Sequence, residues 1–177
     1  MIFSIVLAGI RMRGKVKWRQ VIGTEWRGLR TVAVHLGVAV VALVAMAVIG
    51  NVSNIVLGPL QHDSKAFQSM VAQTPVEAMA FLVLALSAGF VEEFVFRGYI
   101  QRQCQALFGN NVLAAFAQIA IFTQGHLYQG WVRLLPVMLI GLVLTITALW
   151  RKSLIPGMIA HGFGDGLVSL MFFFKHL

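Results

Sequence analysis

The sequence predicts an all-α fold, a polytopic transmembrane helix bundle of about five spans plus a short N-terminal apolar stub. Three observations carry that expectation. Of the 177 residues 59% are hydrophobic and 11% charged, with a mean hydropathy of +0.83, which is outside the usual range for soluble globular chains. The apolar residues fall in several long blocks, most of them near the ~20 residues a helix needs to cross a bilayer. The basic residues are gathered, with seven of the fourteen Lys and Arg between Arg11 and Arg30. A net charge of +8 alone could suggest nucleic acid. The clustering instead fits a juxtamembrane loop drawn to anionic head groups, so membrane lipid is the expected partner and nucleic acid is not. One integral membrane domain is expected over 1–177. Its apolar stub and basic cytoplasmic segment occupy 1–30, its helix bundle 31–174, and its chemistry-bearing motifs 88–165.

Met1–Ile10 is apolar but too short to span, and basic residues follow it instead of preceding it, so it does not read as a secretory signal. Trp18 and Trp26 lie in the basic segment and are expected to anchor at the interface. The first span is Thr31–Gly50, rich in Val and Ala, with His35 near its basic end read as an interfacial histidine. Asn51–Pro75 contains Pro59, His62, Asp63, Ser64 and Lys65 and reads as a solvated loop. The second span, Val76–Phe108, exceeds a bilayer's needs, so its end is expected to project beyond the membrane. Val112–Leu127 is the third and Arg133–Trp150 the fourth, with Pro136 tolerated in its first turn. Leu154–Phe174 is the fifth. Cys104 is the single cysteine and reads as an inert small side chain. If Arg11–Arg30 is cytoplasmic, alternating spans place ten Lys and Arg inside and three outside (Lys65, Arg133 and Lys175), with Arg97 within the membrane.

Charges inside the second span set the functional question. Glu92, Glu93 and Arg97 lie in an apolar run, where each costs roughly 3 kcal/mol at a bilayer centre. Such residues in a span point to a functional site. Glu93 and Arg97 are four apart and can pair along one helical face, whereas Glu92 is rotated by about 100°. His161 and Asp165 repeat the four-residue interval on the fifth span, and Phe122 and His126 repeat it on the third. At about 1.5 Å per residue, His161 lies roughly 10–13 Å from the inner end of its helix, the glutamates about 13–15 Å from Arg102, and His126 roughly 18–20 Å along its helix. These groups therefore share one layer. Small residues surround them: Ala85, Gly89, Gly98, Gly125, Gly157, Gly162, Gly164 and Gly166, which let backbones approach closely or leave room for water and substrate.

Two glutamates, two histidines and an aspartate in one layer suggest hydrolysis. A carboxylate can take a proton from water while histidines and an arginine or amide stabilise the oxyanion. Alternatively, the histidines could hold a zinc that activates the water, with Glu92, His126, His161 and Asp165 as the candidate ligands. The cofactor stays open between zinc and a metal-free glutamate mechanism. The spacing is not that of the helical H-E-x-x-H motif, so a metal site would have to be assembled from separate helices.

Three motifs occur in order: E-E-F-V-F-R-G at Glu92–Gly98, F-T-Q-G-H at Phe122–His126 and H-G-F-G-D at His161–Asp165. Together they resemble the E-E-x-x-x-R, F-x-x-x-H and H-x-x-x-N/D motifs of the CPBP intramembrane proteases. That group includes CAAX prenyl endopeptidases of the Ras-converting type and bacteriocin-immunity proteins. The resemblance implies an intramembrane endopeptidase, multi-pass in a bacterial inner membrane, with an active site open to the cytoplasm and a membrane-associated peptide or protein as substrate. It further implies that Glu92 activates the water, Glu93 and Arg97 support it, His126 helps hold the water, and His161 with Asp165 face the oxyanion. Asp165 stands where prenyl endopeptidases carry Asn. An amide donates to an oxyanion, and a carboxylate does so only when protonated, so Asp165 is instead a candidate to orient His161 or to ligate a metal. The resemblance also leaves a non-catalytic immunity or scaffold protein of the same fold as the alternative. Family members commonly carry further helices ahead of Thr31–Gly50, and Met1–Ile10 reads either as an interfacial stub or as the end of such a helix.

Overall fold

The computed structural model describes residues 18–23, 28–60 and 72–175, and no strand occurs among them. Expectations for Met1–Ile10, Trp26 and the centre of the Asn51–Pro75 connection lie outside the described residues. The elements in order are α1 (Trp18–Ile22), α2 (Leu29–Leu57), a 3₁₀ turn (Gly58–Leu60) and α3 (Pro75–Glu93). A π-helical segment (Phe94–Ile100), α4 (Gln101–Phe108) and α5 (Asn111–Gln124) follow. Two 3₁₀ turns (Leu127–Gln129, Trp131–Arg133) then lead into α6 (Leu134–Arg151) and α7 (Ile155–Lys175).

Local chemistry explains the helix boundaries. Pro75 opens α3 at a position that needs no N–H donor. The Thr74 side chain accepts from Glu77 N, and the Glu77 carboxylate accepts from Gln73 N at 2.7 Å, a variant of the capping box. Asn110 caps α5 by accepting from Val112 N at 2.8 Å and Leu113 N at 3.1 Å. Two expected boundaries move. α2 runs on through Asn51 to Leu57, because Asn51 donates its amide to Ala47 O at 2.8 Å and the apolar residues Ile55, Val56 and Leu57 continue the helix. α5 ends at Gln124, short of the expected Leu127.

The packing is small-inside, large-outside. α2 buries His35, Ala39, Ala42, Met46 and Ser53 along one stripe and exposes Val40, Val41, Val44, Val48, Val52 and Ile55. A lone helix face this apolar suits lipid better than water. His35, six residues into α2, lies on the inward stripe and is buried against the bundle. Among the described residues three helical stretches are long and apolar enough to cross a membrane, 29–60, 75–108 and 131–151, and α5 is a shorter apolar helix of 14 residues. α7 has 21 residues, its apolarity lowered by His161, Asp165 and four glycines. The protein is an integral membrane protein built on these helices.

α7 is the central element. It packs most extensively on α3, then on α2 and less on α6, while α5 bridges α4 and α6. The α3–α7 crossing is a backbone contact. A Cβ on Gly89 would sit 2.5 Å from Gly162 Cα, so no larger residue fits without displacing the helices. Three residues past Gly89 comes Glu92, and one before Gly162 comes His161. The crossing therefore sets the site.

Candidate active site

Glu93 is fully buried and makes the central contacts. Its Oε1 accepts from Arg97 Nη1 at 2.9 Å and from His161 Nδ1 at 3.0 Å. On the α7 side, a Cβ on Gly157 would come within 3.0 Å of Glu93 Oε2, so the glycine makes room for the carboxylate. Arg97 is itself held from three directions. It donates Nη2 to Gly141 O at 3.0 Å, directs Nε at Thr145 Oγ1 at 3.4 Å, and lays its guanidinium 4.3 Å from the centre of the Phe122 ring. Thr145 Oγ1 lies 2.8 Å from Gly141 O and 3.0 Å from Gln118 Oε1, two acceptors for its one proton. The result is a buried chain of polar contacts, Gln118–Thr145–Arg97–Glu93–His161, running from α5 through α6 and the π segment to α7.

Glu92 has a different setting. Its side chain is 30% exposed, and its Oε2 lies 3.9 Å from His161 Nε2 and 4.0 Å from His126 Nε2. No hydrogen-bond partner reaches that oxygen among the described residues. The ring assignments follow from the other ends of the histidines. His161 Nδ1 faces a carboxylate and His126 Nδ1 faces Phe122 O at 2.8 Å. Neither oxygen can donate, so each Nδ1 carries the proton. In the neutral rings both Nε2 lone pairs then point toward Glu92. Asp165 stands at the mouth with its side chain 51% exposed, its Oδ2 3.5 Å from His161 Nε2.

The six residues expected from sequence, Glu92, Glu93, Arg97, His126, His161 and Asp165, are thus brought to one place. His126 arrives by a different route from the one its four-residue spacing from Phe122 implies. Helix α5 has ended and His126 begins a 3₁₀ turn, yet its bond to Phe122 O keeps the ring against Phe122, 4.6 Å between centres. Phe122 is itself buried and also meets the Phe96 and His161 rings edge-on. Gln118, Thr145 and Gly141 escape the sequence reading. Their signal is weak, a lone amide and a hydroxyl within apolar helices.

A tetrahedral zinc with bonds of about 2.0–2.1 Å sets its ligand atoms roughly 3.3 Å apart. The 3.9 and 4.0 Å separations at Glu92 are wider, and no trio of His, Cys, Asp or Glu among the described residues has the geometry to hold a metal ion. The donor set does not fit zinc as it stands. A water molecule can donate to two acceptors while its oxygen stays free, and bridging buried Oε2 to either ring at about 2.8 Å to each atom needs these side chains to part by roughly half an ångström.

The phenylalanine, arginine and glycine neighbours of the carboxylates are continuous with the Glu92–Gly98, Phe122–His126 and His161–Asp165 motifs. The family model described as Type II CAAX prenyl endopeptidase Rce1-like matches residues 74–167, just over half of the chain. No curated protein and no solved structure matches.

Proposed function

The chain belongs to the type II CAAX prenyl endopeptidase Rce1-like family, and from that premise we propose that it is an intramembrane endopeptidase acting by a glutamate-activated water. The observation that supports this reading is the convergence of both Nε2 atoms on Glu92 Oε2. Water between them donates one proton to Glu92 and is steered by His126. As its oxygen bonds to the peptide carbonyl carbon, Glu92 takes the proton. The resulting oxyanion lies toward His161, whose imidazolium form presents Nε2–H while Glu93 and Asp165 flank the ring and offset its charge. Collapse breaks the C–N bond, and the proton on Glu92 passes to the leaving amine. Glu93 and Arg97 act through His161, Glu93 by accepting from its Nδ1–H and so fixing the ring's orientation, and Arg97 by holding Glu93.

The substrate in this reading is a membrane-associated peptide or protein tail, with a prenylated CAAX end as the family's expectation. The site faces the cytoplasm of a bacterial inner membrane, in keeping with the basic bias of the Arg102 and Arg151-Lys152 end. The test is cleavage of a quenched membrane-associated peptide by the purified protein in vesicles, run in oxygen-18 water. Hydrolysis predicts one heavy oxygen in the new carboxyl terminus. No cleavage across prenylated and unprenylated tails would contradict it and favour a scaffold.

A further inference from the structure

Arg97, the partner of Glu93, also lines a cavity of about 210 Å³. Its lining includes Arg97, Gln101, Arg102, Thr145, Lys152 and Ser153, and no carboxylate takes part among the described residues. α1 contributes Val21 and Ile22 to the wall, tied by Leu154 N donating to Ile22 O at 2.9 Å and by Arg102 Nη2 donating to Gln20 O and Val21 O. Gly23 then closes on the backbone of Lys152, where a Cβ would overlap the carbonyl.

Gln101 is the observation that asks for a ligand. It is 4% exposed, and neither Oε1 nor Nε2 has a hydrogen-bond partner among the described residues. A buried amide left in that state costs about 1–3 kcal/mol. Arg102 and Lys152 bring positive charge to the same space. The volume is too small for a peptide or drug-sized ligand, which takes roughly 300 Å³ or more. It is ample for a tetrahedral oxyanion.

We propose that this cavity binds a phosphate group that also carries a hydroxyl donor. The phosphate oxygens accept from Gln101 Nε2, Arg102 and Lys152, and the hydroxyl donates to Gln101 Oε1. Two sources share this chemistry, the head group of an anionic phospholipid such as phosphatidylglycerol, and free phosphate. Lys152 lies in the turn between α6 and α7, beside the exposed Trp150, at the end of a span where head groups and aromatic anchors belong. Because Arg97 forms part of the wall, occupancy of the cavity reaches the back of the ion pair that holds His161.

The experiment compares thermal unfolding of the purified full chain in a neutral detergent. Short-chain phosphatidylglycerol, phosphatidylcholine of the same length and inorganic phosphate are added separately, at matched ionic strength. Two variants lie outside the hydrolytic machinery: Gln101→Leu, which keeps the volume without the amide, and Lys152→Asn. Lys152 has a φ of +50°, a conformation Asn accepts readily, so the second variant removes charge without straining the turn. At ligand a hundredfold above its Kd the wild type is expected to gain roughly 5–10 °C, and both variants to lose at least half of that gain. A gain with phosphatidylglycerol and not with phosphate assigns the head group; a gain with phosphate assigns a soluble anion. No gain with either, a gain as large with phosphatidylcholine, or equal gains in wild type and both variants overturns the proposal and leaves water in the cavity.

Discussion

Glu92 and Glu93 are neighbours in sequence with opposite surroundings. Glu93 is sealed, its Oε1 engaged by Arg97 and His161 and its Oε2 without a hydrogen-bond partner among the described residues, while the Glu92 side chain is partly exposed and its buried Oε2 faces two ring nitrogens without bonding either. A helix turns about 100° per residue, which sends adjacent side chains to different faces, and this much was legible from the E-E pair and the Arg four residues on. The rest of the support was not. Gln118 and Thr145 look like ordinary minor polar residues in apolar helices, and only the contact of Thr145 with Arg97, and of Gln118 with Thr145, gives them a part. The buried pair itself carries a prediction. Replacing Arg97 by Met leaves a buried carboxylate facing only His161 and is expected to lower stability by about 3–5 kcal/mol, read by denaturant or thermal unfolding in detergent. A change under 1 kcal/mol would mean that Glu93 is satisfied without it.

Helix positions were readable from apolar block lengths, since the described helices overlap all five expected spans. Their ends were less so. Asn51 reads as a loop residue because it is polar, yet its amide bonds the carbonyl four back and the helix passes through. The π segment had no signal at all. Phe94–Ile100 is an apolar run with one arginine, and nothing in its composition announces that Gln101 N bonds Phe96 O five residues back. Such segments often mark functional sites, and this one starts directly after Glu93. The α3–α7 crossing gives the element-scale test. Gly89→Ala drives a methyl into the Gly162 backbone and is expected to cost at least about 1–3 kcal/mol. Gly37→Ala, where a Cβ meets nothing within 4 Å, is expected to stabilise α2 by about 0.5–1 kcal/mol. Equal effects of the two in unfolding experiments would refute the crossing as the point of closest approach.

For the molecule as a whole, sequence alone gave the bundle, the membrane and the family, because a hydropathy of +0.83 and three ordered motifs are global features. Composition and motif order left the choice between a metal and a bare water open. Distances around Glu92 bear on it, being wider than a zinc ion draws its ligands. Peptide cleavage is therefore expected to survive dialysis against a strong chelator with less than a twofold loss, and inactivation reversed by added zinc would contradict that. The central claim is that Glu92 does the chemistry and Glu93 holds the site together. It is tested most directly by measuring kcat for peptide cleavage together with the thermal midpoint in Glu92→Gln and Glu93→Gln. The account predicts that Glu92→Gln lowers kcat by about 10²–10⁴ with the midpoint within a few degrees of wild type, while Glu93→Gln lowers both. Cleavage by Glu92→Gln at the wild-type rate would contradict it.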